Sequence, residues 1–207
     1  TGVRMNLLAN YGRLSEIASR ITWCLNETGP FVAFAWKAVY TAASLLVASG
    51  KPITLAALSE ALAGGPIDLV FRTASYHFGQ SRLLEEMALT GKKGEREQLQ
   101  CVLDSHLTEN PDPSFPFKEA LSLLTADPEH EAKLIAGLQP LLTSLTAGPL
   151  AESLSPTSED PLRPLMSLKR LVKEKGVLYV ATDALADSFT ASSVATLLLA
   201  DLAGLAA

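Results

Sequence analysis

The chain has 207 residues, of which 48% are hydrophobic and 19% are charged, and its formal net charge is −5. This length allows one large or two small domains, and the apolar content excludes an intrinsically disordered chain. The negative charge argues against a domain that binds nucleic acid over its whole surface, because such domains present a net basic field. Only 6% of the residues are aromatic, and abundant alanine and leucine favour an all-α body.

The two cysteines, Cys24 and Cys101, lie far apart in the sequence. They lack the number and spacing of a disulfide scaffold or a zinc site, so we expect reduced, structural thiols and a cytosolic compartment. No basic and then apolar leader follows Thr1. We therefore expect no signal peptide and a sequence excised from a longer protein.

The first third of the chain is typical of helices joined by short links. Apolar spacing predicts a helix over residues 14–25, and Gly29-Pro30 separates it from a second helix over residues 31–49 that ends at Gly50. The second helix is long enough to span a membrane, but its Ala, Ser and Thr content and the internal Lys37 favour a buried core helix. Thr54 is expected to cap a third helix that runs through residue 62.

Three further helices are predicted over residues 66–89, with an interruption at Gly79, over residues 95–107 and over residues 116–124. Asp127-Pro128-Glu129 gives an N-cap, a proline in the first turn and an early acid, so a long helix should start there. Short links between helices favour antiparallel neighbours, as in a bundle.

Residues 154–164 are rich in serine and proline, and we place the main boundary of the chain there. A basic helix is predicted over residues 165–175, with Leu165, Leu168, Leu171 and Val172 facing inward. A strand over residues 177–182 and an almost wholly apolar helix over residues 188–205 follow. A single strand leaves its amide and carbonyl groups unpaired, so we expect the chain to be a piece of a larger protein.

Motifs for catalysis or metal binding are not recognisable in the sequence. Gly64-Gly65 and the Gly91–Gly94 turn lack the spacing of a phosphate-binding loop, and a strand does not precede either of them. The three histidines, His77, His106 and His130, have no partner at the spacing of a metalloprotease helix. We therefore predict no catalytic residue, no metal site and no cofactor bound by this segment.

Two acids after the strand leave two interpretations open. Asp183 and Asp187 would lie at the carboxyl end of the strand, where open α/β sheets collect ligands. Helix capping by Asp187 and turn stabilisation by Asp183 account for both positions without a ligand site, and we favour that interpretation.

Charge changes sign once, near residue 161. Acidic residues dominate between Asp104 and Asp160, and they include the candidate partner-binding residues Asp127, Glu129 and Glu131. The following stretch is basic, and either it contacts phosphates or it is the solvated face of an amphipathic helix. The candidate DNA-binding residues are Arg163, Lys169, Arg170, Lys173 and Lys175.

Two blocks of sequence, one near each end, are distinctive when taken together. The first is YGRLSEIASRI at 11–21, followed by FAWK at 34–37, and the second is GVLYVATDALAD at 176–187, followed by ADLA at 200–203. The first resembles the segment that enters the all-α domain of TraD-type conjugative coupling proteins. The second resembles the segment in which that family returns to its motor domain.

This resemblance implies a mainly-α fold, a multi-helix domain with a short strand–helix remnant of a RecA-like α/β motor. It divides the chain into a junction from the motor (1–13), the all-α domain (14–160) and a basic helix, strand and long helix that return to the motor (161–207). The parent would be a homo-hexameric ATPase, anchored in the bacterial inner membrane and using ATP and Mg²⁺, with its ATPase residues outside this chain. This part would lie on the cytoplasmic side without spanning the membrane.

The function that the resemblance implies is substrate recognition, in which DNA, relaxosome proteins or both dock for delivery to a type IV secretion system. The segment itself is then not an enzyme. Two alternatives remain: a stand-alone helical domain that binds proteins but not DNA, and a small enzyme domain that uses Asp183, Asp187 and a histidine.

Overall fold

The computed structural model describes residues 2–25, 27–109, 117–156, 160, 162–182 and 184–206. Within these ranges the chain forms eleven helices and no β-sheet, which confirms the prediction of a mainly-α fold. The helices are α1 (Leu14–Trp23), α2 (Pro30–Ala48), α3 (Leu55–Ala63), α4 (Gly65–Phe78), α5 (Gln80–Leu89), α6 (Glu95–Glu109), α7 (Phe117–Leu124), α8 (Pro128–Thr146), α9 (Gly148–Leu154), α10 (Leu168–Lys173) and α11 (Ser188–Ala206).

Helix boundaries follow local signals closely where a cap or a glycine is present. The Thr54 side chain accepts a hydrogen bond from the Ala57 amide at 3.0 Å, and the Asp127 carboxylate accepts one from the Glu129 amide at 3.1 Å. Both predicted N-caps are therefore confirmed. Gly79, with φ of +83°, separates α4 from α5, because that backbone conformation is strained for a residue with a Cβ.

Two elements differ from the sequence-based expectation. Helix α9 was not predicted, and it is separated from α8 at Gly148, whose φ is +56°. Helix α10 covers residues 168–173 rather than the predicted 165–175, because residues 164–166 are hydrogen-bonded to Arg4 in an isolated bridge. The Ser167 side chain then caps the shortened helix by accepting from the Arg170 amide at 3.2 Å.

The core lies between α2 and the helices that surround it. Helix α2 packs against α1, α3, α4, α7 and α8, and α3 also packs against α8. The fully buried side chains include Ile17, Leu45, Leu58 and Leu138. Burial of leucine and isoleucine side chains stabilises such a core by about 1.5–3 kcal/mol each relative to exposure.

Helices α2 and α11 are long and apolar enough to cross a membrane, judged by length and composition alone. Of the apolar window in each helix, 39% is buried in α2 and 33% in α11. Lys37 lies on the exposed side of α2, opposite the face that packs on the core. In α11, Leu199 is 67% exposed and Leu202 is 46% exposed. Part of this apolar helix surface is therefore uncovered in the described structure.

The predicted strand over residues 177–182 forms no ladder, which corrects that expectation. The chain runs without a turn or bend from Gly176 to Thr182. The Gly176 amide donates to the Leu171 carbonyl at 2.9 Å, but the backbone groups of residues 177–182 make no hydrogen bond within the described residues. A strand needs a neighbouring strand to pair with, and the described residues supply none at this place. We call residues 177–182 the unpaired segment.

Both ends of the chain pack on the helical body. Arg4 N–H donates to the Pro164 carbonyl at 3.1 Å, and Met166 N–H donates to the Arg4 carbonyl at 2.8 Å. Helix α11 contacts α1, α8 and α10. The predicted limits of the three domains, 1–13, 14–160 and 161–207, stay predictions.

Candidate functional site

A buried polar cluster joins the N-terminal loop, α1 and α11. One amino group of Arg20 donates to the Asp201 carboxylate at 3.0 Å and to the Leu7 carbonyl at 3.1 Å, while the other donates to the Asn10 carbonyl. The Asn10 side-chain amide donates to the second Asp201 oxygen at 3.2 Å. We call Asn10, Arg20 and Asp201, with the Leu7 carbonyl, the junction.

The junction buries two charges almost completely, since the side chain of Arg20 is 3% exposed and that of Asp201 is 1% exposed. Burial raises the pKa of the Asp201 carboxyl, against the opposing effects of Asn10 and Arg20. A buried ion pair needs further hydrogen bonds to offset the cost of removing its charges from water. The Leu7 carbonyl and both polar groups of Asn10 supply them here.

Two neighbouring residues depend on this packing. A Cβ at position 204 would lie 2.7 Å from the guanidinium of Arg20, so α11 approaches α1 closely only because Gly204 has no side chain. The Cys24 thiol donates to the Arg20 carbonyl at 3.3 Å, and burial raises its pKa to about 12. Both cysteines are free thiols, as predicted, and Cys24 is buried.

The sequence did not single out the junction as a site, although it contained a signal. Asp201 is the only charged residue between positions 188 and 206, and an isolated charge in an apolar helix requires a partner when it is buried. The sequence could not identify that partner, because Arg20 lies 181 positions away. Each of the two blocks that resemble coupling proteins contributes one member of the ion pair.

The structure divides the five predicted DNA-binding residues into two groups. Arg163 pairs with Asp160 at 2.8 Å and also with Glu152, and Arg170 pairs with Glu174 at 2.8 Å. These acids neutralise the two arginines. The three lysines are exposed and have no acidic partner among the described residues; they are Lys169, Lys173 and Lys175.

The prediction that four apolar residues of the basic helix face inward is partly wrong. Leu168 is buried and Leu171 packs against the core, but Leu165 is 58% exposed and Val172 is 60% exposed. Leu165 precedes the shortened helix, so it does not share the helical face of Leu168. Helix α10 therefore presents apolar as well as basic side chains at the surface.

The predicted acidic partner site lies at the start of α8. Asp127 and Glu129 are exposed there, and Asp127 also caps the helix. The side chain of Glu131 lies outside the described part of the structure. Exposed carboxylates at a helix start interact favourably with the helix dipole, so a structural role accounts for them as well as binding does.

Asp187 behaves as the capping interpretation predicts. Its carboxylate accepts a hydrogen bond from the Thr190 amide at 3.0 Å. Hydrogen bonding with Thr190 lowers the pKa of the Asp187 carboxyl. Asp183 lies outside the described residues, so the structure leaves the proposed pair of acids as a prediction.

One histidine makes a hydrogen-bond contact with a carboxylate that the sequence did not indicate. The His106 ring lies 2.7 Å from a Glu86 carboxylate oxygen and stacks on Phe78, with 4.2 Å between ring centroids. His106, followed by Arg82, lowers the pKa of the Glu86 carboxyl. These residues belong to three different helices, so helical spacing could not reveal them. Among the described residues, no group of three metal-ligating side chains comes together.

An apolar groove of about 470 Å³ lies beside the unpaired segment. Its lining comes from two extended stretches, which we call its walls, and from two helices. One wall contains Gly2, Val3, Met5 and Leu7 and the other contains residues 178–182, while α9 and α11 contribute residues that include Leu154, Val194 and Leu198. The side chains that line it and carry polar groups are Ser153, Tyr179, Thr182, Asp187 and Thr190. The sequence could not predict this groove, because its walls come from opposite ends of the chain.

Comparison of the chain with protein-family models, with curated proteins and with solved structures finds no match.

Proposed function

We propose that the chain is a substrate-recognition domain of a conjugative coupling protein, which docks DNA, relaxosome proteins or both for delivery to a type IV secretion system. The Arg20–Asp201 ion pair carries this proposal. The two ends of a domain inserted into a motor must lie close together in space, because the motor chain enters the domain at one end and leaves it at the other. The junction connects the block that resembles the start of the inserted domain to the block that resembles its end.

The proposed DNA contacts are the lysines on and after α10. Lys169, Lys173 and Lys175 are exposed without described acidic partners, whereas Arg163 and Arg170 already have carboxylates. Unpaired surface cations attract phosphates, and each phosphate that is neutralised releases condensed counterions. We therefore assign the three lysines to phosphate contact and remove the two arginines from that role.

The test is a salt titration of DNA binding by the chain and by three variants, measured by fluorescence anisotropy with a labelled duplex. Replacing Lys169, Lys173 and Lys175 by alanine should lower the affinity. It should also reduce the slope of log K against log salt by about 0.9 for each lost phosphate contact. Two matched variants serve as controls.

The first control replaces Lys37, Lys92 and Lys93, which are also exposed, so that the net charge changes equally. The second replaces Arg163 and Arg170. We expect both controls to keep most of the wild-type slope. An equal loss in the first control, or an unchanged slope in the α10 variant, would refute the DNA assignment.

Docking of a relaxosome protein is tested separately at the acidic start of α8. Reversing the charges of Asp127, Glu129 and Glu131 should reduce the capture of purified relaxosome proteins. Capture that is insensitive to this reversal would remove the acidic site from the proposal.

A further inference from the structure

The groove is lined by two extended stretches of the chain and by two helices. Residues 178–182 and the N-terminal residues 2–7 form its two walls, and neither wall bends where it lines the groove from Leu178 to Thr182 or from Gly2 to Met5. Apolar side chains of α9 and α11 form the floor, including Leu150, Val194 and Leu198. The volume of about 470 Å³ lies within the range of ligand sites, which are mostly apolar with a few polar groups.

The wall formed by the unpaired segment offers main-chain hydrogen bonds. Its amide and carbonyl groups have no partner within the described residues. Its side chains alternate at the start, since Leu178 packs on the core while Val177 is 93% exposed and Tyr179 is 88% exposed. An extended segment with open backbone groups and alternating side chains is the surface to which a peptide adds as a strand.

A negatively charged side chain in the groove favours peptides that carry a cationic residue. The Asp187 carboxylate lines the groove, and its lowered pKa keeps it ionised at neutral pH. The described lining contains no lysine or arginine to neutralise it. A cationic side chain on the bound peptide is therefore complementary to this end of the groove, whereas an anionic one is repelled.

We infer that the groove binds an extended segment of a partner protein, with apolar residues at alternate positions and a Lys or Arg at the end beside Asp187. Main-chain hydrogen bonds to the unpaired segment hold the peptide, and its apolar side chains enter the groove above Val194 and Leu198. The inference does not use the α10 lysines, which do not line the groove, so the DNA titration and the peptide titration can fail separately.

The first probe is the capped peptide Lys-Val-Thr-Val-Thr-Val, titrated calorimetrically against the full chain. This order places the lysine beside Asp187 in an antiparallel arrangement, which is slightly more stable per residue than a parallel one. Two isomers carry two N-methyl groups each, either on the first two valines or on the two threonines, so that each loses amide donors of one edge only. We expect one isomer to bind like the parent and the other to bind at least tenfold more weakly.

Equal affinity of both isomers, or no binding of the parent peptide, would overturn the inference. Concentration-dependent dimerisation in sedimentation that Val177→Lys abolishes would also overturn it, and would assign the surface to a second copy. Displacement of the bound peptide by duplex DNA would assign it to nucleic acid instead.

The second probe tests the charge at Asp187. Asp187→Ser keeps a side chain that caps α11 but removes the carboxylate. The wild-type chain should bind the lysine peptide several-fold more tightly than the same peptide with glutamine in place of lysine, and D187S should bind both equally. A preference that persists in D187S, or that is absent from the wild type, would contradict the assignment of the cationic end.

Discussion

The junction and the unpaired segment differ in whether their polar groups have hydrogen-bond partners. In the junction, two charged side chains are buried, and each has hydrogen-bond partners from another part of the chain. In the unpaired segment, the backbone groups lack partners within the described residues, and large apolar side chains face the solvent. The first region holds the fold together, whereas the second remains available for binding.

This contrast shows which surface features carry functional information. Paired charges such as Arg163 with Asp160, or Arg170 with Glu174, are satisfied within the chain. Exposed apolar residues scattered singly are normal for a protein surface, but Leu165, Val172, Val177 and Tyr179 lie close together in the sequence. They lie beside the three lysines that have no acidic partner in the described part of the chain. This stretch is consequently where we expect substitutions to affect binding more than stability.

The largest expected effect comes from breaking the junction. Asp201→Ala leaves the Arg20 guanidinium buried without its counter-charge, which should lower the free energy of unfolding by about 3–5 kcal/mol. Urea denaturation followed by the fluorescence of Trp23 and Trp36 measures this loss. The matched control is Glu60→Ala, which breaks an exposed ion pair with Arg72 and should cost less than about 1 kcal/mol. Similar losses in both variants would show that burial does not distinguish the two pairs.

A smaller effect is expected from filling the space beside the guanidinium. Alanine normally stabilises a helix by about 1 kcal/mol relative to glycine, but a methyl group at position 204 would lie 2.7 Å from Arg20. Overpacking costs about 1–3 kcal/mol, so Gly204→Ala should be destabilising overall in the same urea experiment. Ala203→Gly, one residue earlier in α11, should lose only the intrinsic helix preference. A stabilised G204A would mean that Arg20 moves aside at no cost.

The capping acid of α11 should give a pH-dependent effect that is smaller still. Folding lowers the pKa of Asp187, so the stability it contributes is complete above its unfolded pKa and is lost as the pH falls through the folded value. Asp187→Ala should therefore lower the melting temperature at pH 7, and the difference from wild type should close as the pH falls below about 4. A difference that persists at pH 2 would show that capping by the carboxylate is not its cause.

The smallest effect on stability is expected in the unpaired segment. Val177→Thr combined with Tyr179→Ser removes two large apolar side chains that are almost completely exposed, so the free energy of unfolding should change by less than about 0.5 kcal/mol. Thermal unfolding of this variant beside wild type provides the measurement. A loss of several kcal/mol would place the segment in the stabilising core rather than in a binding surface.

Much of the helical architecture was predictable because its signals are local. Thr54 and Asp127 cap helices where the sequence indicated, and Gly79 divides α4 from α5. The expected strand failed to form because pairing is not local, and its partner is not among the described residues. The length of helix α10 was overestimated for the same reason, since a bridge to Arg4 removes residues 164–166 from it.

The candidate site was less predictable than the fold. The sequence identified the basic stretch but could not tell that Glu152 and Asp160 neutralise Arg163, because ion pairing depends on where the chain places each acid. The groove and the junction were not predicted as sites, since both combine the N-terminal residues with α11.

By itself the sequence determined the mainly-α class, most helix limits and the position of the one segment with strand character, because helix periodicity, caps and glycines act over a few neighbouring residues. Only the tertiary structure decided that Asp201 meets Arg20, that three of the five cations have no acidic partner among the described residues, and that an apolar groove opens beside residues 178–182. These features join residues more than a hundred positions apart or depend on which charges meet in space. Folding of the whole chain, rather than any local preference, brings such residues together.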